Sequence, residues 1–227
     1  MLINTIKSPA LFDLDQSLAG PLLSQTQWPW EVLGSIHDLI LTLGPSLPGN
    51  DYERIDDQIW VARDCVIAPS ACICGPLIIG HETEVRHGAF IRTNALIGDQ
   101  VVVGNSTELK NVILFNGVQV PHYNYVGDSI LGYRAHLGAG AITSNVKGDH
   151  SLITLRVGTE RIATGLKKMG ALLGDFAEIG CNSVLNPGTI IGRNTQVYPL
   201  TLVRGTIPPN CICKQTGEIV AKTQPNA

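Results

Sequence analysis

One interval governs this chain: six residues. Val61, Ile67, Ile73, Ile79, Val85, Ile91, Ile97, Val103 and Leu109 are all aliphatic, each six places after the last. Two places before them stand Ile59, Cys65, Ala71, Leu77, Thr83, Ala89, Ala95, Val101 and Thr107, mostly small or β-branched. The rhythm returns at Leu173, Ile179, Leu185, Ile191, Val197 and Val203, preceded in the same way by Ala171, Ala177, Ser183, Thr189, Thr195 and Thr201. A period of six suits neither an α-helix nor a heptad. It suits the strand period of two with a corner in every hexad, which is the mark of a parallel β-helix. Three hexads close one triangular coil, with the aliphatic residue inside and the small one at the narrow corner. The composition agrees: 24 glycines in 227 residues turn the corners, and 5% aromatics suit a thin core. An all-β prism is the expected fold.

Other classes drop out on composition. With 15% charged and 44% hydrophobic residues, the chain is too apolar to remain disordered. A net charge of −3 gives no basic footprint for nucleic acid. No run of about 18 apolar residues marks a membrane span, and Met1–Lys7 shows no secretory pattern, so a cytoplasmic protein with no membrane partner is expected. Cys72 with Cys74, and Cys211 with Cys213, form C-x-C pairs rather than the C-x-x-C pairs of zinc sites. They read as reduced thiols packing as small hydrophobes, and no metal is expected.

The rhythm breaks in two ways. Between Leu109 and Leu137 the aliphatic line runs Leu114, Val120, Val126, Leu131, with spacings of five at 109–114 and 126–131. After Thr143 the pattern stops until Ala171, so residues 144–170 read as a loop extruded from the coil. It carries Lys147, Arg156, Arg161, Lys167 and Lys168 against Asp149 and Glu160. A single long loop beside the only phase slips is where a functional site is expected. Residues 1–58 read as an N-terminal helical cap and linker, with a helix over Trp30–Gly44 whose apolar face is Trp30, Leu33, Ile36, His37, Ile40 and Leu43. That segment is expected to cover the open end of the prism. Residues 59–214 form the prism, and the polar tail 215–227 is expected to fray.

Arg92 and Lys110 stand one coil apart, each directly after an inward aliphatic residue, so they stack on one edge. Stacked cations repel unless an anion joins them, and a phosphate fits an Arg fork beside a Lys. A solvated edge with Glu108 as counter-ion is the competing reading. His122 lies between the two phase slips, and histidine suits proton transfer near neutral pH. His81 and His87 fall at corners, His136 faces outward, and His150 is in the loop. No His pair has zinc-ligand spacing.

The stretch HYNYVGDSILGYRAHLGAGAITSNVKG (122–148) resembles two motifs of one family. These are the H-x-x-Y-x-G-D and I-G-A-G-T-I-T-x-N-Y-D-G blocks in the acetyltransferase half of the bifunctional N-acetylglucosamine-1-phosphate uridyltransferase/glucosamine-1-phosphate acetyltransferases. The register holds without gaps from Arg92 to Asn145, and the PWEVL segment resembles related sugar-nucleotide pyrophosphorylases. The resemblance implies a left-handed coil, a homotrimer with sites between neighbouring coils, and acetyl-CoA as co-substrate. It implies His122 as catalytic base. Arg92, Lys110, Tyr125 and Asn145 would hold the sugar phosphate, and Lys168 is set against a later lysine across the expanded loop. Gly180 and Cys181 fall where that family meets the acetyl group and coenzyme A. His136 stands where the family has a substrate-binding Asn, Val146 replaces a Tyr and Cys181 replaces a Ser.

The resemblance therefore implies a CoA-dependent acyltransferase acting on the amine of an amino-sugar phosphate or a nucleotide-linked amino sugar. The contrasting reading is a noncatalytic oligomerisation or regulatory β-helix; zinc-dependent hydration is a third. The family's nucleotidyltransferase half, with its Gly-rich L-x-x-G-x-G-T-R-M-like loop, has no match here, so a separate nucleotidyltransferase is an expected partner.

Overall fold

The computed structural model describes residues 2–223. Short parallel strands stack into three flat faces of a prism, joined by tight corners. The first face begins with Ile59–Ala62, Leu77–Ile79 and Ala95–Ile97, and resumes after the loop with Ala171–Leu173, Thr189–Ile191 and Thr206–Ile207. The second carries Val102–Asn105, Gln119–His122, His136–Leu137 and Glu178–Ile179 among others. The third includes Phe90–Ile91, Ile142–Thr143 and Val184–Leu185. The hexad residues point inward: Ile79, Ile91, Val103, Leu109, Leu173, Leu185 and Ile191 are fully buried. Ile67 and Ile73 are only half-buried because they lie in the first coil, with no coil before it.

The small residues do more than fit their corners. The hydroxyls of Thr83, Thr107 and Thr195 donate to the carbonyls of Gly98, Val120 and Pro208 in the next coil, at 2.9, 3.0 and 2.7 Å. They tie successive coils where the strands are too short to do so alone. Gly104 serves the same stacking by lacking a side chain. A Cβ there would lie 1.5 Å from the Pro121 carbonyl oxygen. Gly104→Ala is therefore expected to force two coils apart and to lower stability by about 1–3 kcal/mol, as overpacking does, measured by urea denaturation.

The two five-residue spacings have a structural meaning. Glu108–Leu114 and Tyr125–Leu131 are single long strands that turn the corner from the third face onto the first. They pair with each other along their whole length, from Glu108 opposite Tyr125 to Leu114 opposite Leu131. A missing residue at each corner makes the edge tighter there, and Asn111 and Asp128 take left-handed backbone to turn it, at φ 54° and 47°.

The N-terminal segment departs from expectation in two respects. A 3₁₀ helix, Pro29–Gly34, and an α-helix, Ile36–Leu43, replace the single helix over Trp30–Gly44. The break falls at Gly34–Ser35, two poor helix formers. Trp30, Leu33, Ile36 and Ile40 are buried as the apolar stripe requires, but His37 is exposed and bonds Asn94 at 3.1 Å. The segment also does not cap the open end. It lies along the first face, whose outward residues Ile78, Leu96, Ile113, Ile130, Leu172 and Ile190 stand in register and are all buried. Burying each such side chain contributes roughly 1.5–3 kcal/mol, which is what holds the segment there. Asp175 pins the segment in place, accepting from the N–H groups of Asp13 and Tyr133 at 2.7 and 2.8 Å.

Within 45–58, Tyr52–Asp56 forms a strand antiparallel to Ile59–Ala62. Within the tail expected to fray, Ile219–Ala221 pairs antiparallel with Cys211–Cys213, so the last strand edge is covered; residues 224–227 lie outside the described residues. Residues 144–170 do leave the coil, but as an ordered hairpin of Thr154–Val157 and Glu160–Ala163. Its Ile153, Leu155 and Val157 are buried, the first two against the Gly188 corner.

Candidate functional site

Strand register sorts the expected site residues onto two edges of the third face. Ile91, Leu109, Val126 and Thr143 are paired in sequence across coils. The residues after them, Arg92, Lys110, Gly127 and Ser144, therefore line the edge between the third and first faces, with Asn145 next to Ser144. Lys168 reaches the same edge, because the neck of the extruded loop closes there through a bridge between Val146 and Lys168. His122 belongs to the other edge, where the second face meets the third. It pairs with Asn105, and its carbonyl accepts from Gly140. Gly180 and Cys181 continue that edge two coils further on, since Leu137 pairs with Ile179. His136 lies on neither edge. It points off the second face and bonds Glu178 through Nδ1 at 2.8 Å, which separates it from the other substrate-side residues.

The cation-bearing edge is built around a residue the sequence reading left without a role, Asp128. Its carboxylate is buried and accepts from Lys110 Nζ at 3.3 Å, Asn111 Nδ2 at 3.0 Å and Asn145 Nδ2 at 2.5 Å. Asn145 Nδ2 also donates to the Tyr125 hydroxyl at 3.3 Å. Gly127 makes this convergence possible, as a Cβ there would meet the Tyr125 hydroxyl at 2.6 Å. Burial, and then the charges of Asp128 and Glu108, push the Tyr125 phenol above its ordinary range. It stays protonated at neutral pH, and with Asn145 donating to its oxygen its own O–H remains to donate outward. The D of the H-x-x-Y-x-G-D block was the available signal for Asp128.

Arg92 and Lys110 do not confront each other uncompensated. Arg92 donates to Glu108 at 3.0 Å, and Lys110 is held by Asp128. The Arg92–Glu108 pair is exposed, so exchanging it for a phosphate costs about 0–1 kcal/mol. Lys110 has three donors, so Asp128 can keep one while an anion takes another.

On the opposite edge His122 is exposed. Its backbone is fixed by buried Asn124, whose Oδ1 accepts from the His122 N–H at 3.1 Å while Nδ2 donates to Gly138 and Ala141 in the next coil. Asn124 is thus a positioning residue that the motif reading passed over. The Gly180 N–H is spent on Val197 at 2.8 Å, so it is not available as an oxyanion donor. The neighbouring Cys181 N–H makes no hydrogen bond among the described residues and is the donor left at that position. Among the described residues no cluster of His, Cys, Asp and Glu is arranged to hold a metal ion, and no helix is long and apolar enough to cross a membrane.

Residues 73–161 match the family described as the GMPPB C-terminal domain. Over 171 residues the chain is 32% identical to the uncharacterized acetyltransferase YaiX of Escherichia coli O6:K15:H31, covering 67% of this chain and 73% of that protein. The chain belongs to the hexapeptide-repeat acetyltransferases. The fold of this family member is accordingly a left-handed parallel β-helix. The chain is also 29% identical over 200 residues to the bifunctional protein GlmU of Methanococcus vannielii, a match that covers 86% of this chain and 47% of GlmU. The chain spans about half the length of the bifunctional relatives it matches. Among solved structures it is similar to PerB from Caulobacter crescentus in complex with CoA and GDP-perosamine. That likeness is 18% identical, covers 72% of this chain and 57% of PerB, and has a TM-score of 0.40.

Proposed function

We propose that the protein transfers an acetyl group from acetyl-CoA to the amine of an amino-sugar phosphate or nucleotide-linked amino sugar. The observation that carries this reading is the pair of edges flanking the third face. One bears an anion-ready cluster in which Lys110, Tyr125 and Asn145 are ordered around Asp128, with Arg92 and Lys168 on the same edge; the other bears an exposed, backbone-clamped His122. The sugar phosphate sits on Arg92 and Lys110, and Tyr125 donates to a sugar oxygen. His122 takes a proton as the amine attacks the thioester carbonyl. The Cys181 N–H donates to the developing oxyanion, and as the C–S bond breaks His122 passes the amine proton to the sulfur, so that coenzyme A leaves as the thiol and the base is regenerated.

Because the two clusters lie on opposite edges, the sites are completed in a homotrimer, with one chain's edge facing its neighbour's. The third face offers apolar surface for that packing: Phe90, Ile142 and Leu202 are exposed on it. Light scattering is expected to give three times the chain mass; a monomer would remove the shared site. The chain's similarity to the bifunctional sugar-1-phosphate nucleotidylyltransferase/acetyltransferase of Sulfurisphaera tokodaii supports a nucleotidyltransferase as partner, and a cytoplasmic setting suits both substrates.

The pairing of Arg92 with Glu108 and Lys110 with Asp128 favours the noncatalytic reading as second choice, since each cation already has a carboxylate. The deciding experiment is release of free coenzyme A thiol from acetyl-CoA in the presence of glucosamine 1-phosphate and of uridine-diphosphate-linked amino sugars. Thiol release with any of these acceptors supports catalysis. Saturable binding of all acceptors without thiol release supports the scaffold.

A further inference from the structure

The extruded hairpin carries charge that the acyl-transfer reading does not use. In it Arg156 stands directly opposite Arg161 across the two strands. Like charges facing each other in this way destabilise a strand pair. Both arginines line a cleft of about 730 Å³, together with Lys147 and Arg204. The carboxylate in its wall is Asp149, which faces Lys147 at 3.8 Å. Among the described residues Arg156, Arg161 and Arg204 have no side-chain hydrogen bond or ion pair. The cleft is also anchored in the coil. Leu185 pairs with Val203, which places Arg204 beside Asn186 on the same edge that carries Arg92 and Lys110. The hairpin's buried Ile153, Leu155 and Val157 fix its other face, so the arginine pair cannot relax by swinging away as a unit.

We infer that this cleft is a second anion site, built to take the phosphoanhydride of a nucleotide-type ligand. Four cations around one cavity exceed what a monophosphate needs, since a single arginine fork satisfies one phosphate edge. Two linked phosphates let Arg156 and Arg161 each bind a different group, which turns their mutual repulsion into joint attraction. The volume is that of a small-molecule site rather than of a single ion. No aromatic side chain lines it, so affinity comes from the anhydride and not from stacking on a base. The anhydride's source is either a nucleotide-linked sugar or coenzyme A. Choosing between them rests on the acyl-transfer reading; the site itself does not.

The test is direct binding to the full chain by isothermal titration, which needs no turnover and stands if acetyl transfer is never observed. Uridine diphosphate and coenzyme A are the probes, with inorganic phosphate as the control. At least one probe is expected to bind saturably, more tightly than phosphate and less tightly as salt rises. The R156A/R161A double variant is expected to weaken that binding at least tenfold, and Arg54→Ala, an exposed arginine beside the first coil, to leave it unchanged. The probe that responds identifies the source. The inference fails if neither probe binds, if phosphate binds as tightly, or if the R156A/R161A variant binds as the parent chain does. Arg161→Glu separates folding from binding: it gives Arg156 a cross-strand partner, so Tm is expected to hold or rise while binding is lost. A fall in Tm would mean that the arginine pair is stabilising, and would also overturn the inference.

Discussion

Replacing His122 with alanine is expected to slow acetyl transfer by about 10²–10⁴-fold, the usual contribution of a general base, while leaving Tm unchanged. Both halves follow from where the residue sits. The side chain is exposed, and its corner is held by the Asn124 side chain and the backbone, not by the imidazole. Losing the ring therefore removes no packing. The KM for the sugar phosphate should move little, because the proposed phosphate site is on the opposite edge, with Arg92 and Lys110. A steady-state comparison of kcat and KM, beside a thermal melt, separates the outcomes. Full activity in His122→Ala would end its assignment as base. Unfolding would show that the corner depends on the ring after all. Asn124→Ala makes a useful contrast: it should lower kcat as well, but with a loss of stability that His122→Ala does not share.

Why His122 could be picked out, and Asp128 not, shows what this kind of sequence makes legible. The prism was readable because six-residue spacing is a local rule repeated many times, and each inward aliphatic residue announces its own place. The phase slips were readable for the same reason, and they led to the strands that turn the corner at Asn111 and Asp128. Other features depend on contacts between distant segments. That Ile78, Leu96, Ile113, Ile130 and Leu172 face outward yet are apolar was visible in the sequence, one per coil. It was the signal that the N-terminal segment lies along the first face, and the inward repeat obscured it. The role of Asp128 depends on Lys110, Asn111 and Asn145 arriving from neighbouring coils. Spacing placed Arg92 and Lys110 together and offered Glu108 as a counter-ion, which Arg92 does pair with, but it did not supply Asp128 for Lys110. The hairpin's arginine pair was present as loop composition, while its cross-strand register needed the fold.

Asp128→Ala is expected to cost about 3–5 kcal/mol, the range for removing one partner of a buried ion pair. Two terms oppose the variant. The first is electrostatic: the Lys110 side chain is only 20% exposed and loses its salt-bridge partner, the one it has among the described residues, while Asn111 and Asn145 lose their shared acceptor. The second is conformational: position 128 has φ 47°, where alanine pays about 1–2 kcal/mol that aspartate and asparagine largely avoid. Asp128→Asn therefore separates them. It keeps the backbone and one acceptor oxygen but no charge, so it should lose less than the alanine variant while still loosening Asn145 from Tyr125. Chemical denaturation measures both, and a shift under about 0.5 kcal/mol for Asp128→Ala would refute the carboxylate as the organiser of this edge. A double-mutant cycle with Lys110→Met carries the argument one step further. If the cost comes mainly from a stranded ammonium, removing that ammonium should make the double variant more stable than the sum of the single losses predicts. Strict additivity would place the cost in the backbone and the asparagines instead. It would also leave Lys110 as free for a phosphate as Arg92 is.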